Sequence, residues 1–425
     1  MSETLPPATD SAVAPAAKIV GGARFLSTFF LANAGMFAIF QGMQQILLPG
    51  QIAALDSAGK VGAYGVLASI GALAAAVGNP IFGALSDRTR SRFGRRTPWL
   101  LASAVIATLL LAVLGGMTEL FWLGAAYIGV MLAMSAYQAV ITAVMPDRVP
   151  EHRRGLVSSI AGIATTLGVI YGLNIAPFFT DKPTLGYLAI AALLLVGVVL
   201  LVLLAPDPTA RPGTEPEAVV KERQSIRTFF SGLADHDFAW AFWARVAIMI
   251  GYWTVSTYQL YTLTDYIGAK NLPGGNTAAA VALLGTINMG STFITTLAAG
   301  PLSDRIGRRK IFVVIASVGV AAGALIPAFS PTWGGMIAYS IVVGLFFGVY
   351  TAVDQAIMTL VLPHAENNAR DLGLLNVATT GPQIAGPFIA ALVITAFNGY
   401  APLFVFTCIT AALSAFFILP IRKVR

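Results

Sequence analysis

One acidic side chain of this sequence lies deep inside an apolar segment, where it could bind and release a proton. Asp354 comes nine residues before Pro363, at the edge of that segment, and nine residues of helix measure about 13 Å. A carboxylate at the centre of a bilayer costs on the order of 2.5–3.5 kcal/mol, so either protonation or a polar cavity should stabilise it. We expect no Lys or Arg at the same depth, because Arg245 lies nearer one end of its own segment. Proton exchange is therefore the favoured role of Asp354, and a cation or hydroxyl ligand or a structural hydrogen bond are the alternatives.

Uncharged polar side chains occupy the apolar segments around this carboxylate. Gln41, Gln44 and Gln45 follow an i, i+3, i+4 pattern, and Asn376 and Gln383 are seven residues apart, so each group lies on one helix face. An amide in hydrocarbon needs a hydrogen-bonding partner, which either a neighbouring helix or a polar cavity can provide. Because the groups recur on several helices, we favour a cavity that binds substrate. Its predicted members are Gln41, Gln44, Gln45, Tyr137, Gln138, Asn174, Trp253, Tyr258, Gln259, Tyr261, Asn288, Gln355, Asn376 and Gln383.

The composition identifies the solvent that surrounds most of the chain. Hydrophobic residues make up 57% of the sequence and charged residues 11%, whereas soluble domains contain about 25% charged residues. This excludes a soluble enzyme. The single cysteine, Cys408, excludes an internal disulfide and argues against a cysteine-based metal site. The three histidines lie in polar loops, so a histidine proton relay within the membrane is excluded, and no cofactor or metal site is predicted.

Long apolar segments separated by short polar loops predict helices that cross a membrane, for which about 20 mostly apolar residues are needed. Spans 1 to 12 are predicted at residues 24–50, 61–83, 97–116, 120–145, 155–179, 185–205, 238–266, 276–301, 311–330, 333–362, 370–397 and 400–420. Ten charged side chains and four prolines between spans 6 and 7 indicate a solvated linker. The predicted organisation is a tail at 1–23, a six-helix bundle at 24–205, a linker at 206–237, a second bundle at 238–420 and a tail at 421–425.

Lys and Arg residues are distributed unevenly between the two sides of these spans. With the amino terminus inside, 23 of the 26 lie in cytoplasmic loops, tails and helix ends, and only Lys60, Lys182 and Lys270 lie outside. Such an excess is typical of cytoplasmic loops, so the net charge of +7 marks topology and not a nucleic-acid partner. We predict a multi-pass protein of the plasma (inner) membrane with both termini in the cytoplasm.

Two sequence markers recur at one offset. Residues 83–88 (Gly-Ala-Leu-Ser-Asp-Arg) reappear at 300–305 as Gly-Pro-Leu-Ser-Asp-Arg, 217 residues later, and the Gln-Ala pair at 138–139 reappears at 355–356. Parallel repeats of this kind are related by an axis along the membrane normal, and their binding sites lie between the repeats near the bilayer midplane. The predicted fold class is an all-α membrane protein with two pseudo-symmetric six-helix bundles.

The loop between spans 2 and 3 carries a recognisable signature. Residues 86–96 read Ser-Asp-Arg-Thr-x-Ser-Arg-x-Gly-Arg-Arg, which resembles the motif of the major facilitator superfamily in the longer form of its glycoside and sucrose cation symporter branch. The loop at 300–310 has the shorter standard form, and residues 352–356 and 369–373 are also similar to bacterial members near that branch. The resemblance covers residues 24–420. It implies the major facilitator fold and secondary active transport by alternating access. Because the sequence contains no nucleophile–base set, phosphate-cradling loop or metal-spaced cluster, no enzymatic activity is predicted.

Acidic and basic residues in the two repeated loops could form a gate. The aspartates follow spans 2 and 8 and precede arginine clusters, so each carboxylate could pair with an arginine or face a helix amino terminus in one state only. The alternative is that the arginines fix orientation and bind anionic headgroups. The predicted members of this cytoplasmic gate are Asp87, Arg88, Arg95, Asp304, Arg305 and Arg308.

The polar side chains within the spans also favour some classes of substrate over others. Phosphates and carboxylates would need a deep Arg or Lys, whereas amides, tyrosines and one carboxylate suit a neutral, hydroxyl-rich ligand. Trp253 could stack on a sugar ring or serve only in packing. We therefore predict a monomeric symporter of sugar or glycoside, coupled to protons or alternatively to sodium. The other hypotheses are a proton-linked exporter of lipophilic or cationic compounds, although residues 168–177 depart from the Gly-Pro-rich motif of such exporters, and a receptor that binds ligand without transport.

Overall fold

The computed structural model describes residues 22–207, 230–361 and 368–422, and of residues 359, 368–370 and 372 it describes the backbone only. Most of the predicted tail at 1–23, most of the predicted linker and residues 423–425 lie outside the described parts. Twelve helices are long and apolar enough to cross a membrane, and no strand occurs among the described residues. The spans are Ala23–Leu55, Lys60–Arg88, Thr97–Gly115, Leu120–Arg148, Glu151–Phe179, Pro183–Leu204, His236–Thr257, Thr277–Ile306, Arg309–Phe329, Trp333–Met358, Gly373–Phe397 and Ala401–Ile418. The predicted all-α fold with twelve spans is confirmed.

The two halves repeat the same pattern of helix packing. Span 1 packs against spans 5 and 6, span 4 against spans 2 and 3, and span 3 against span 6. In the second half, span 7 packs against spans 11 and 12, span 10 against spans 8 and 9, and span 9 against span 12. The sequence repeat at an offset of 217 residues therefore corresponds to a repeat in three dimensions. The domain boundaries predicted from the sequence stay predictions.

Glycines allow the closest of these helix contacts. A Cβ atom on Gly168 of span 5 would lie 2.2 Å from the carbonyl oxygen of Ala34 in span 1. On span 10, a Cβ atom on Gly348 would lie 2.4 Å from the carbonyl oxygen of Thr292 in span 8. Small residues at such positions let helix backbones touch, so spans 1 and 5, and likewise spans 8 and 10, pack as tight pairs.

Span 1 and the end of span 7 depart from α-helical geometry. Met43–Leu47 forms a π-helical turn within span 1. Span 7 ends at Thr257, and after Tyr258 the chain continues into a π-helical segment at Thr262–Gly268. The predicted continuous span at 238–266 is therefore wrong at its end, because hydropathy does not register a break between apolar residues. Such π-helical turns are rare in proteins, and those that occur often lie at functional sites.

Several side-chain contacts join the halves on one side of the membrane. The side that holds both ends of the described chain is termed the terminal face, and the other side the opposite face. Spans 2 and 11, and spans 5 and 8, pack across the boundary between the halves. Four side-chain hydrogen bonds between the halves lie towards the opposite face: Lys60–Asp265, Tyr258–Val61, Tyr261–Pro49 and Asn174–Thr286. The structure is therefore closed at the opposite face.

Candidate functional site

A cavity lies between the halves, next to the contacts that close the opposite face. Spans 1 and 5 line it from the first half, and spans 7, 8 and 10 line it from the second. Its volume is about 50 Å³, which is room for a few water molecules. None of the described side chains that line it is charged. The polar and aromatic lining consists of Gln41, Gln45, Tyr252, Trp253, Ser256, Gln259, Asn288, Tyr339 and Ser340.

Several residues predicted to bind substrate meet in this cavity, and three of them are glutamines whose amides are unused. Within the described parts of the chain, the side chains of Gln41, Gln45 and Gln259 form no hydrogen bond, and Oε1 of Gln45 is buried without a partner. A buried polar group left unsatisfied costs about 1–3 kcal/mol. Asn288 is partly satisfied, because its Nδ2 donates to the carbonyl oxygen of Ser340 at 3.2 Å. The cavity therefore offers both donors and acceptors to a ligand beside the ring of Trp253.

Two other predicted amides are bonded to the protein itself. Nε2 of Gln44 donates to Sδ of Met131 at 3.7 Å, within the first half. Nδ2 of Asn174 donates to Oγ1 of Thr286 at 2.9 Å, across the boundary between the halves. Neither side chain lines the cavity, so the structure places both in contacts between helices.

Three predicted tyrosines are also used in helix contacts instead of lining the cavity. All three are buried, and each donates its hydroxyl group to a backbone carbonyl of the first half. The bonds are Tyr137 to Ala32 at 3.0 Å, Tyr258 to Val61 at 2.6 Å and Tyr261 to Pro49 at 2.9 Å. Tyr137 therefore joins spans 4 and 1, and the other two close the opposite face.

An ion pair reinforces this closure. Nζ of Lys60, at the start of span 2, lies 2.8 Å from Oδ2 of Asp265, in the π-helical segment after span 7. The Tyr400 hydroxyl donates to the same carboxylate oxygen at 2.6 Å. The ring of Tyr64 meets that of Tyr258 edge to face at a centroid distance of 5.6 Å. A charged contact, a hydroxyl and packed rings thus hold the halves together here.

Four further predicted residues also lie outside the cavity lining. Gln138, Gln355, Asn376 and Gln383 are on spans 4, 10 and 11. Gln355 and Asn376 are exposed, and the other two are half-buried. Their contact with substrate stays a prediction.

Four polar lining residues are not among those predicted from the sequence: Tyr252, Ser256, Tyr339 and Ser340. Ser256 lies three residues before Gln259, so helical spacing could have placed both on one face. Tyr339 and Ser340 offered no such signal, because tyrosine and serine are common in membrane helices and only packing reveals which of them face a cavity.

Asp354 has a cation partner, which corrects the expectation that none lies at its depth. Nε of Arg245 donates to Oδ2 of Asp354 at 2.8 Å, and Nη2 lies 2.5 Å from the same oxygen. The Tyr350 hydroxyl donates to Oδ1 at 3.0 Å. Asp354 is 2% exposed and Arg245 5%. Arg245 lies nine residues after the start of span 7 at His236, and Asp354 lies seven residues before the end of its helix at Val361, so the two side chains come from similar depths.

The predicted gate aspartates form ion pairs, but with other arginines than expected. Asp87 pairs with Arg96 at 2.7 Å, and Asp304 pairs with Arg309 at 2.6 Å. Adjacent helix residues point roughly 100° apart, which turns Arg88 and Arg305 away from the aspartates that precede them. Within the described residues, Arg88, Arg305 and Arg308 form no ion pair, and Arg95 pairs with Asp147 at 2.9 Å.

A buried ion pair that the sequence reasoning missed fixes the end of span 4 to the start of the linker. Nη2 of Arg148 lies 2.9 Å from Oδ1 of Asp207, and Nη1 donates to the carbonyl oxygen of Ala205 at 2.7 Å. The other carboxylate oxygen of Asp207 accepts from the backbone N–H of Arg96 at 2.8 Å. Each of these ion pairs at the terminal face lies within the first half and its linker or within the second half.

A family-level sequence comparison identifies the chain. Residues 60–401 match the family described as MFS/sugar transport protein. The chain belongs to this family. It is therefore a multi-pass integral membrane protein of the major facilitator superfamily, whose matched family and relatives are transporters or permeases and not enzymes.

Curated relatives match parts of the chain. The anhydromuropeptide permease of Escherichia coli (strain K12) is 31% identical over 156 residues, which is 34% of this chain and 31% of the permease. The lactose permease of Leuconostoc lactis is 22% identical over 275 residues, 58% of this chain and 40% of the permease. The matched region thus spans less than half the length of either relative.

Solved structures of transporters have the same fold. A nucleoside transporter, NupG, gives a TM-score of 0.73 at 15% identity, and the match covers 94% of this chain and all of that one (100%). A bacterial homolog of the human lysosomal transporter Spinster gives a TM-score of 0.69 at 13% identity, with 94% and 96% covered. At these identities the likeness concerns the fold alone.

Proposed function

We propose that this protein transports a neutral, hydroxyl-rich solute, a sugar or glycoside, by proton-coupled symport. The observation that carries the proposal is the set of unused amides of Gln41, Gln45 and Gln259 around one cavity. An amide offers donors and an acceptor, and a hydroxyl group can serve as partner to either. The ring of Trp253 in the same wall suits the apolar face of a sugar.

The charges near the cavity favour a neutral ligand. None of the described lining residues is charged, and the deep arginine, Arg245, is neutralised by Asp354. An anionic substrate would find no free cation, and a cationic drug would find no free carboxylate. This weakens both the anion transporter and the exporter hypotheses. The lactose permease among the relatives and the sugar-transport description of the family agree with a sugar substrate.

Alternating access gives the closed opposite face a role in the cycle. The excess of Lys and Arg on the terminal side supports a cytoplasmic terminal face, so the opposite face would be the outside, and the structure would correspond to a state closed to the outside. The cavity of about 50 Å³ is far smaller than the roughly 300–1,000 Å³ of typical ligand pockets. Substrate binding therefore requires the halves to move apart, which breaks the Lys60–Asp265 pair in the outward-open state. The terminal-face pairs of Asp87 and Asp304 belong to the proposed gate on the other side.

Asp354 is the proposed coupling residue, and its ion pair supplies the mechanism. A proton that binds the carboxylate removes its charge and leaves Arg245 buried without a counterion. An uncompensated buried charge is strongly unfavourable. Protonation therefore favours a rearrangement of spans 7 and 10 that gives Arg245 a new environment.

The test is transport by purified protein in liposomes. Glucose, sucrose, maltose and lactose are each offered in counterflow, which needs no proton gradient, and a cationic dye is offered in parallel. We expect counterflow of at least one sugar and no expulsion of the dye. Expulsion of the dye without movement of any sugar would contradict the proposal and favour the exporter.

A further inference from the structure

Three stacked rings connect the cavity with the buried ion pair. Tyr252 lines the cavity, and its ring stacks on that of Phe347 with centroids 4.2 Å apart and an angle of 7° between the planes. Phe347 in turn stacks on Tyr350 at 6.2 Å and 19°. The Tyr350 hydroxyl donates to Oδ1 of Asp354 at 3.0 Å. The cavity wall and the carboxyl group thus belong to one continuous row of contacts, termed the ring stack (Tyr252, Phe347, Tyr350).

Span 10, which carries most of this row, is fixed to span 8 on another face. Three side chains of span 8, four residues apart, donate to three carbonyl oxygens of span 10, also four residues apart. The bonds are Asn288 to Ser340 at 3.2 Å, Thr292 to Gly344 at 3.1 Å and Thr296 to Gly348 at 3.1 Å. A shift of span 10 along span 8 would break the whole ladder and the backbone contact at Gly348. A change in the protonation of Asp354 should therefore alter the contacts between spans 10 and 7, where the ring stack and the ion pair lie, and leave those with span 8 in place.

Few charged groups surround Asp354. Within the described residues, Arg245 from span 7 and Tyr350 from span 10 itself are the charged or titratable groups in contact with it. The contacts of spans 8 and 9 with span 10 involve uncharged residues such as Thr292 and Gly319. A proton on Asp354 therefore changes one ion pair and one hydroxyl contact, and both lead towards span 7 or the ring stack.

We propose that Phe347 and Tyr350 are positioning residues that link substrate binding in the cavity to the protonation of Asp354. A substrate packed on Tyr252 fixes the ring stack, and the stack sets the position of the Tyr350 hydroxyl at Oδ1 of Asp354. The proton comes from water and binds a carboxylate oxygen; the ion pair to Arg245 is lost and no covalent bond to carbon breaks. This inference rests on the proposed function, because it requires that the cavity binds the substrate. By linkage, substrate must then change the proton affinity of Asp354 by the same factor as the proton changes substrate affinity.

The test is an infrared titration of the protonated carboxyl group of Asp354 in the full chain, assigned by its loss in Asp354→Asn. The titration is run with and without the sugar that gives counterflow. In the wild-type protein we expect sugar to move the midpoint upward by about one pH unit, a tenfold coupling, because a symporter binds both together. Phe347→Leu should lose most of this shift, and Phe347→Tyr, which keeps the ring, should retain it.

Phe346→Leu is the matched control, because Phe346 is the neighbouring phenylalanine and packs over Gly319 of span 9 instead of joining the stack. It should behave like the wild-type protein. An equal sugar-induced shift in Phe347→Leu and Phe346→Leu would overturn the proposal. Should Phe347→Leu fail to fold, Tyr350→Phe, which removes only the hydroxyl, takes its place. An equal sugar-induced shift in Tyr350→Phe and Phe346→Leu would then overturn the proposal.

The outcome is distinguishable from failure of the proposed function. If the wild-type protein moves no sugar, the sugar assignment is wrong, and the titration without sugar still tests the stack. Tyr350→Phe must then move the midpoint of Asp354, and Phe346→Leu must leave it unchanged. An unmoved midpoint in Tyr350→Phe would overturn the proposal whatever the substrate is.

Discussion

Tyr137 and Asp354 occupy equivalent positions in the two halves, 217 residues apart, and each joins the fourth helix of its half to the first. The chemistry differs. Tyr137 donates a neutral hydrogen bond to Ala32, whereas Asp354 forms an ion pair with Arg245. Protonation can break the ion pair of Asp354 but not the hydrogen bond of Tyr137. In the proposed cycle, the second half therefore responds to protons, and the first half provides a fixed counterpart.

The buried ion pair should contribute to stability as a unit. Asp354→Leu leaves Arg245 buried without a counterion, which we expect to cost about 3–5 kcal/mol of unfolding free energy. The double variant Asp354→Leu, Arg245→Met removes both charges and should recover most of that loss. Thermal unfolding of the purified protein in detergent measures it. Losses that simply add in the double variant would contradict the coupling of these two residues.

The unused amide of Gln45 should matter for substrate affinity more than its bonded neighbour does. Gln45→Leu removes a hydrogen-bonding group from the cavity, and a loss of about 0.5–1.5 kcal/mol corresponds to roughly 2–13-fold weaker sugar binding. Gln44→Leu is the matched control, because Gln44 contacts Met131 and does not line the cavity. The half-saturation concentration in counterflow gives the comparison. Equal half-saturation concentrations in the two variants would show that Gln45 does not contact the substrate.

The Lys60–Asp265 pair should bias the protein towards closure of the opposite face. Lys60→Gln removes a partly exposed ion pair, which is worth about 0.2–1 kcal/mol, so the opposite-face-open state should become roughly 1.4–5 times more populated. A cysteine introduced by Gln45→Cys in a Cys408→Ser background reports this population through its alkylation rate from that side. Lys182→Gln serves as control, because Lys182 forms no ion pair among the described residues. An alkylation rate that rises no more for Lys60→Gln than for Lys182→Gln would show that the pair does not hold the closure.

Arg96 should be the arginine of the span 2–3 loop on which stability depends most. It is buried and bonds to Asp87, Asp147 and Ser86. Arg96→Gln should therefore lower the unfolding free energy by about 1.5–3 kcal/mol, the range for hydrogen bonds to charged groups. Arg88→Gln, at an exposed arginine without an ion pair in the described residues, should leave unfolding unchanged. Similar losses in both variants would contradict the assigned partners.

The fold follows from the sequence because lipid imposes a simple rule on long helices. Every backbone group in hydrocarbon must be bonded within the segment, so twelve apolar segments predict twelve helices. The marker repeat then predicts the equivalent packing of the two halves. The break at Tyr258 could not be predicted in this way, because hydropathy averages over the residues on both sides of it.

The site follows from the sequence only in part. An amide side chain is costly in hydrocarbon unless it has a hydrogen-bonding partner or faces a polar cavity. This rule made four lining residues recognisable: Gln41, Gln45, Gln259 and Asn288. The pairing of Asp354 with Arg245 was missed although the predicted spans place the two residues at nearly equal depths, because only the packing of spans 7 and 10 shows that their side chains face each other. Tyr258 and Tyr261 resemble ligand contacts in sequence, but their hydroxyls are used by carbonyls of the other half, which only the packing of the halves determines.

Sugar accumulation against its gradient tests the central claim most directly. Liposomes that contain the wild-type protein or Asp354→Asn, which keeps the shape and hydrogen-bonding capacity of the side chain, receive labelled sugar with an inward proton gradient and, separately, in counterflow without one. We predict that the wild-type protein accumulates sugar only with the gradient, and that Asp354→Asn keeps counterflow but loses accumulation. Full accumulation by Asp354→Asn would contradict proton coupling at this residue.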